Sequence, residues 1–197
     1  MKLETSNNSQ SRYSEWLDAR MIRVRGFTMI ELMVTIGILA ILTMVAIPSF
    51  TSILINYRLT SISNTFLASA QLARSEAIKR NSRVTMCKSA DGTTCVVTGG
   101  WQQGWILFQD IDNNAVRDAA EVIVHTESAM PGNFLTTPGD NYISYTASGG
   151  TELTTGAAQA TTVTLCSTSE PVGPARKIFI NFVGRLRVEK ATVTTCV

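Results

Sequence analysis

The chain has few of the side chains on which enzymes and zinc sites depend. Its 197 residues include one histidine, His125, and four cysteines, none of which forms a Cys-x-x-Cys pair. A hydrolase needs a nucleophile with a base beside it, and no such set is evident around a lone histidine. Structural zinc needs a tetrahedral set of cysteine and histidine ligands. The sequence therefore predicts neither an enzyme nor a cofactor.

Charge is also scarce, and it nearly vanishes between residues 27 and 47. Charged residues make up 16% of the chain, but Glu31 is the only one in this stretch of 21 residues. At about 1.5 Å per residue, a helix of that length covers roughly 31 Å, about the thickness of a bilayer's hydrocarbon core. We therefore expect residues 27–50 to form a transmembrane helix.

Glu31 is the anomaly of this stretch, because a charge inside a transmembrane helix costs at least about 2.5–3.5 kcal/mol. Such a charge persists only with a partner or a function. Cleavage after Gly26 would leave a new amino group on Phe27, four residues before Glu31. That spacing is one helical turn, so the ammonium and the carboxylate could pair within one subunit or between neighbouring subunits.

The junction Gly26-Phe27-Thr28-Met29-Ile30-Glu31 resembles the class III leader junction of type IV prepilins and type II secretion pseudopilins. The resemblance implies that a prepilin peptidase cuts between Gly26 and Phe27 and methylates the amino group of Phe27. It also implies that Glu31 sets the register of subunits in a helical filament. The alternatives are a signal anchor and a Sec signal peptide, which needs a small-x-small cleavage site after the apolar run. No such cleavage site is evident in the sequence there.

Basic residues come before the apolar stretch rather than directly after it. Arg20, Arg23 and Arg25 precede it, and the first charge beyond it is Arg58. The positive-inside rule places the N-terminus in the cytoplasm and the rest of the chain outside. The resemblance to prepilins then implies a single-pass protein of the bacterial inner membrane with a periplasmic C-terminal domain. Residues 1–26 are the expected leader. Met21 is an alternative start, because residues 21–26 alone would make a typical short basic leader.

Beyond residue 50 the apolar residues become periodic. Residues 51–83 carry one apolar face at steps of three and four, which indicates an amphipathic helix: Leu59, Ile62, Phe66, Ala70, Ala73 and Ala77. Over residues 84–197, short apolar runs alternate with turn residues, which indicates strands over 84–87, 105–108, 122–125, 142–145, 163–166, 178–182 and 186–188. We predict an α+β fold in which one long N-terminal helix, half transmembrane and half amphipathic, packs on an antiparallel β domain.

The four cysteines predict two disulfides, because an extracytoplasmic domain folds under oxidising conditions. Three pairings are possible. We expect Cys87–Cys95 and Cys166–Cys196, since each would close between plausible neighbouring strands. The alternative is that the cysteines remain free buried thiols.

Several shorter stretches, at residues 73–84, 105–123 and 178–187, resemble the GspH/FimT group of minor pilins and pseudopilins. The resemblance implies a type IV pilin-like fold and a subunit at or near a filament tip, in low copy number, that helps to initiate assembly. The implied partners are other pilins or pseudopilins, a prepilin peptidase, an inner-membrane assembly platform and, before assembly, the lipid bilayer. Whether the filament is a type II secretion pseudopilus or a type IV pilus stays open.

The C-terminal stretch is basic and includes Gly184-Arg185-Leu186-Arg187. Arg185 and Arg187 alternate, so on a strand they share a face, and Lys177 and Lys190 are close in sequence. Such a patch can neutralise phosphates. In FimT proteins a GRxR motif of this kind is associated with DNA capture in natural transformation, so DNA is a possible partner. The alternatives are a charged edge strand that discourages aggregation, or arginines that pair with the acidic region 108–170.

An acidic segment, residues 110–121, resembles the ligand spacing of an EF-hand calcium loop. The candidate ligands are Asp110, Asp112, Asn114, Asp118 and Glu121. The segment departs from that pattern at Ala115, where glycine is needed, and at Arg117, which replaces an apolar residue. The predicted flanking elements are strands rather than helices. We therefore favour a hairpin loop over a calcium site.

Overall fold

The computed structural model of the protein describes residues 26–137, 139–169 and 173–196. The expected leader before Gly26, with Arg20, Arg23, Arg25 and the alternative start at Met21, lies outside the described residues. Within them the structure contains one α-helix, one short 3₁₀ helix and eight strands. The chain divides into two compact units, Met1–Ile47 and Pro48–Val197.

Helix α1 spans Met29–Arg80, and local sequence sets both of its ends. At the start, the Thr28 hydroxyl accepts a hydrogen bond from the Glu31 backbone N–H at 3.2 Å, which satisfies one of the free amides of the first turn. At the end, Asn81 adopts a left-handed φ of 49°. The Ser82 N–H then donates to the Ala77 carbonyl at 3.2 Å, the Schellman arrangement that terminates a helix.

In the first unit, α1 exposes large apolar side chains around its whole circumference. Leu32, Met33 and Val34 are 56%, 66% and 53% exposed, although successive helical side chains point about 100° apart. Within the described residues, the structure contains no helix that meets the length and apolarity of a membrane span. The transmembrane helix expected over residues 27–50 therefore stays a prediction.

The second unit contains eight strands in two antiparallel sheets. Strands β1 (Val84–Lys88), β2 (Trp105–Gln109), β3 (Ile123–Glu127) and β5 (Tyr142–Tyr145) form one sheet in the order β3-β2-β1-β5. Strands β4 (Phe134–Thr136), β6 (Thr161–Ser167), β7 (Gly173–Ile180) and β8 (Leu186–Val193) form the other in the order β4-β6-β7-β8. The predicted α+β fold, with a long helix packed on an antiparallel β domain, is confirmed.

The core of the second unit forms where the apolar face of α1 meets both sheets. Phe66, Ala70, Ala73 and Ala77 are buried in one cluster with side chains from β1, β2, β5, β6 and β7. The Phe66 ring packs edge-on against Trp101 and Trp105, at centroid distances of 5.3 Å each. Such aromatic pairs contribute about 0.5–1.5 kcal/mol beyond their buried area. All buried hydrophobic residues of the described chain lie in this unit, from Leu59 onward, so it carries its own core.

Two disulfides close the second unit, Cys87–Cys95 and Cys166–Cys196, which are the two pairs expected from the sequence. The first joins β1 to the loop that follows it, and its sequence separation is 8 residues. The second joins β6 to the end of the described chain, and its sequence separation is 30 residues. Within the described residues no cysteine is free.

Two glycine turns pack closely against the last turns of α1. Arg74 donates a hydrogen bond from Nη1 to the Gly184 carbonyl at 3.2 Å. Gly184 has a φ of 74°, and a Cβ on it would overlap the carbonyl oxygen of Gly149. A Cβ on Gly149, whose φ is 82°, would lie 2.9 Å from Ile78 and 3.1 Å from Arg74 Nε. Glycine at both positions therefore lets the turn before β8 reach the helix.

We expect the Cys166–Cys196 disulfide to stabilise the domain more than the Cys87–Cys95 disulfide. In the chain-entropy account, the longer loop removes more freedom from the unfolded chain, by about 1 kcal/mol for these two separations. Urea unfolding of Cys166→Ala/Cys196→Ala and Cys87→Ala/Cys95→Ala measures the difference. Since Cys87 and Cys166 are both buried, each pair loses a comparable buried sulfur. An equal or larger cost for the Cys87–Cys95 pair would contradict the expectation.

Gly184→Ala should lower the free energy of unfolding by about 1–3 kcal/mol more than Gly156→Ala. Both glycines have positive φ, at 74° and 82°, so both substitutions introduce similar backbone strain. Only Gly184 also faces a steric overlap, because a Cβ on Gly156 would meet no atom within 4 Å. Denaturant unfolding of the two variants measures the steric contribution, and equal costs would show that Gly184 is not a packing residue.

Candidate functional site

The expected cleavage junction lies just before α1 and is exposed. Gly26, Phe27 and Thr28 precede the helix, and the Phe27 side chain is 83% exposed. A Cβ on Gly26 would meet no atom within 4 Å, so the junction is sterically open. The Gly26–Phe27 peptide bond is thus outside regular structure.

Glu31 lies in the first turn of α1, and its carboxylate is available for a partner. Among the described residues, the Glu31 side chain forms no hydrogen bond or ion pair, while its backbone N–H is held by the Thr28 hydroxyl. A carboxylate in the first turn is favoured by the helix dipole. Sequence analysis did not assign a role to Thr28, although Thr-x-x-Glu is the signature of a capping box.

The basic residues of the C-terminal stretch fall into two groups on opposite faces of the second sheet. In the pairing of β7 with β8, Phe179 lies opposite Arg187, Lys177 opposite Glu189, and Arg176 opposite Lys190. Because facing residues share a face and successive residues alternate, Lys177 and Arg187 are on one face. Lys190 is on the other face, with the buried Arg176. Lys190 therefore does not join Arg185, Arg187 and Lys177 in one patch.

Arg185 and Arg187 together line an open cleft of about 390 Å³ with Phe179 and Asn181. The Arg187 guanidinium stacks on the Phe179 ring at 4.9 Å and pairs with Glu189 at 2.8 Å. This ion pair is exposed and therefore weak. The Arg185 backbone N–H donates to Asn181 Oδ1 at 2.8 Å, which fixes the start of β8. The cleft presents two cations whose charge is offset by one neighbouring acid.

The acidic segment forms the loop between β2 and β3. Some, but not all, of the candidate calcium ligands lie close together there. Carboxylate oxygens of Asp110, Asp112 and Glu121 lie within 4.8 Å of one another, whereas Asp118 is not in this group. The Asn114 side chain donates a hydrogen bond from Nδ2 to Asp112 Oδ2 at 2.6 Å. The group comprises two buried acids, Asp110 and Glu121, and the exposed Asp112.

Backbone N–H groups of the loop donate hydrogen bonds to the two buried carboxylates. Asp110 accepts from Asn114 N at 3.1 Å and Ala115 N at 3.2 Å. Glu121 accepts from Ile111 N at 2.7 Å and Asp118 N at 3.0 Å. These bonds close the loop without an ion, which supports the interpretation as a hairpin loop.

His125 lies on β3 with no second titratable group positioned for catalysis. Its Nε2 is 3.4 Å from a Glu127 oxygen, and both side chains are partly exposed. A histidine two residues from a carboxylate on the same strand is an ordinary surface pair. Within the described residues, Glu127 is the one side chain to which His125 is hydrogen-bonded.

Two sequence families match the chain. Type II transport protein GspH matches residues 63–184, and the prokaryotic N-terminal methylation motif matches residues 21–47. No curated protein matches the sequence. The methylation motif thus covers the Gly26–Phe27 junction and Glu31, and the GspH family covers most of the second unit.

Solved structures of minor pilins resemble the fold. Two crystal structures of the type IV minor pilin FimU from Pseudomonas aeruginosa (strain PAO1) have TM-scores of 0.54 and 0.52 and share 16% sequence identity with this chain. They cover 72% and 71% of this chain and 97% and 100% of their own. The minor pseudopilin EpsH from the type 2 secretion system of Vibrio cholerae has a TM-score of 0.46 and 9% identity, and the match covers 67% of this chain and 96% of EpsH.

The GspH match extends over more than half of the chain, and the FimU structures share its fold. The proteins of this family are structural pilin and pseudopilin subunits rather than enzymes, and such subunits assemble with other pilins in a filament. The chain belongs to the GspH family and is a minor pilin or pseudopilin of the GspH/FimT type.

Proposed function

We propose that this protein helps to initiate or cap a type II secretion pseudopilus or a type IV pilus after a prepilin peptidase cuts between Gly26 and Phe27. The observation that supports this role most strongly is the exposure of the apolar part of α1. Met29, Ile30 and Ile41 are each more than 60% exposed. Burial of such side chains contributes about 1.5–3 kcal/mol each, so this segment needs lipid or neighbouring helices around it.

Before assembly, we propose that the lipid bilayer surrounds the apolar segment of α1. The apolar stretch is long enough to cross a hydrocarbon core, and arginines precede it, so the protein would cross the inner membrane once with its N-terminus in the cytoplasm. The second unit would then lie in the periplasm. Its two disulfides are consistent with that compartment, because disulfides persist under oxidising conditions.

Glu31 would guide the passage from bilayer to filament. Its carboxylate has no partner among the described residues, and placing it in lipid costs at least about 2.5–3.5 kcal/mol. Cleavage would create a cationic amino group on Phe27, one turn away, and methylation would keep that charge. A subunit could pair the two groups internally, or it could pair its Glu31 with the amino group of its neighbour. The second arrangement would fix the axial register of the subunits.

We expect Glu31→Ala to be processed normally but to fail to enter filaments, because removing the carboxylate removes the ion pair without changing the cleavage junction. Glu31→Asp keeps the charge and serves as the matched control, so it should retain a substantial part of the incorporation. Immunoblots of membranes and of sheared or purified filaments measure the two steps. Unchanged incorporation of the alanine variant would show that Glu31 does not set the register.

A second candidate function is DNA capture, and the exposed cleft of Arg185 and Arg187 favours it. Both guanidiniums line one cleft beside the Phe179 ring, and Lys177 is exposed on the same face of the sheet. Cations and one aromatic ring suit contact with phosphates and one stacked base, without sequence specificity. The Glu189 carboxylate next to Arg187 weakens the positive field. DNA binding through this cleft would therefore be weak and strongly salt-dependent.

Arg185→Gln/Arg187→Gln should weaken DNA binding by the second unit and reduce the slope of log K against log salt by about 2, one unit for each lost phosphate contact. Lys79→Gln/Lys190→Gln removes the same charge at positions that do not line the cleft, so it should leave the slope nearly unchanged. Gel-shift titrations at several salt concentrations measure both variants. Indistinguishable slopes for the two variants would rule out the cleft as a DNA site.

A further inference from the structure

A buried lysine in the second unit has no anionic partner. Lys88 is the last residue of β1, is 2% exposed, and lies opposite Trp105 of β2. Its Nζ donates a hydrogen bond to the Gly99 carbonyl at 2.8 Å. Among the described residues, no carboxylate forms an ion pair with it. One neutral carbonyl thus provides the only hydrogen bond that the structure gives to this ammonium group.

A buried ammonium group without an anionic partner is energetically unfavourable. Buried charges in proteins are normally paired or bound to ligands, because the loss of hydration disfavours the charged form. Burial also lowers the pKa of the Lys88 amine. The Gly99 carbonyl satisfies only one of the three ammonium N–H donors, so two donors remain for another acceptor.

The Lys88 side chain borders a cavity of about 360 Å³. That volume is near the lower end of those that bind small molecules. The lining also includes Gly99 and Gly100, and a Cβ on Gly100 would collide with the side chains of Gln102 and Thr136. Glycine at position 100 therefore keeps this part of the lining closely packed. Val97 and Leu135 supply an apolar part of the lining.

Side-chain amides supply further donors to the lining. The Gln102 Oε1 accepts hydrogen bonds from Thr136 N at 3.2 Å and Thr136 Oγ1 at 2.8 Å. These bonds occupy the oxygen of that amide, and within the described residues its Nε2 donates to no group. The Asn141 side chain also lines the cavity and has no hydrogen bond in the described part of the chain. The unused polar groups of this cavity are thus mainly donors, which suits an anion.

We propose that this cavity is a carboxylate-binding site in which the Lys88 ammonium group pairs with the ligand and the Gln102 and Asn141 amides donate to it. Two oxygens of a carboxylate can accept from the ammonium group and an amide at once. The apolar lining of Val97 and Leu135 accommodates one or two methylene groups, so the ligand has the size of an acidic side chain. Its source is either a free small carboxylate or an aspartate or glutamate of a neighbouring filament subunit.

The test uses the second unit, which contains the entire described core, and two probes, sodium acetate and N-acetylglutamate amide. Each is titrated at constant ionic strength against sodium chloride while ¹H–¹⁵N spectra are recorded. We expect saturable shifts at the backbone amides of Lys88, Gly99 and Asn141. Lys88→Met keeps the aliphatic stem and should weaken binding at least tenfold, whereas Lys177→Met, which removes an exposed lysine, should bind as the wild type does.

A second measurement keeps the proposal testable if Lys88→Met does not fold. The ¹³Cε and ¹⁵Nζ signals of Lys88 in the wild type should move with the same saturation curve as the backbone amides. The two probes separate the possible sources, since binding of N-acetylglutamate amide alone indicates an acidic side chain, and equal binding of acetate indicates a free carboxylate. Responses that match sodium chloride, or binding that persists unchanged in Lys88→Met, would overturn the proposal.

Discussion

One helix has to satisfy two different surroundings, and the rest of the structure depends on how its side chains are divided between them. Between Met29 and Phe50, the described apolar side chains of α1 point in every direction and are exposed. From Leu59 onward only one face is apolar, and it is buried against the two sheets. The first pattern requires lipid or other helices, and the second forms the core of a globular domain.

In the function we propose, the single carboxylate of the apolar segment turns this helix from an anchor into an assembly element. An entirely apolar segment would be stable in a bilayer and would have no preferred register against its neighbours. Glu31 would make the bilayer less favourable and would give the segment one position at which a cation is needed. The Thr28 cap marks where the helix begins and places Glu31 in its first turn.

Periodicity predicted the helix and most of the strands, because an apolar face must repeat at the spacing of the element that buries it. It missed β4, whose three residues are too few to show alternation. It also placed the start of β7 too late, because Pro174 suggested a turn. In the structure Gly173 and Pro174 pair only with β8, since the β6 partner residues begin at Ala175. Proline is tolerated at such an edge because it lacks the N–H that a central strand must donate.

The candidate sites were predicted less well, because their geometry depends on register and loop packing. Sequence proximity grouped Lys190 with Arg187, but the alternation along β8 sends the two side chains to opposite faces. The acids of residues 110–121 suggested ligands, yet Asp110 and Glu121 bind the amides of their own loop. Gly184 was assigned to a binding motif, and the structure gives it a packing role beside Arg74. Lys88 gave no sequence signal, because its isolation becomes visible only when the strand is buried.

The central claim is that the chain acts only after its leader is removed in front of Phe27. Mass spectrometry of the protein isolated from native membranes, with sequencing of its N-terminal peptide, tests this claim most directly. The account predicts a chain that begins with N-methylated Phe27. An intact leader, or a new terminus beyond residue 50, would contradict it.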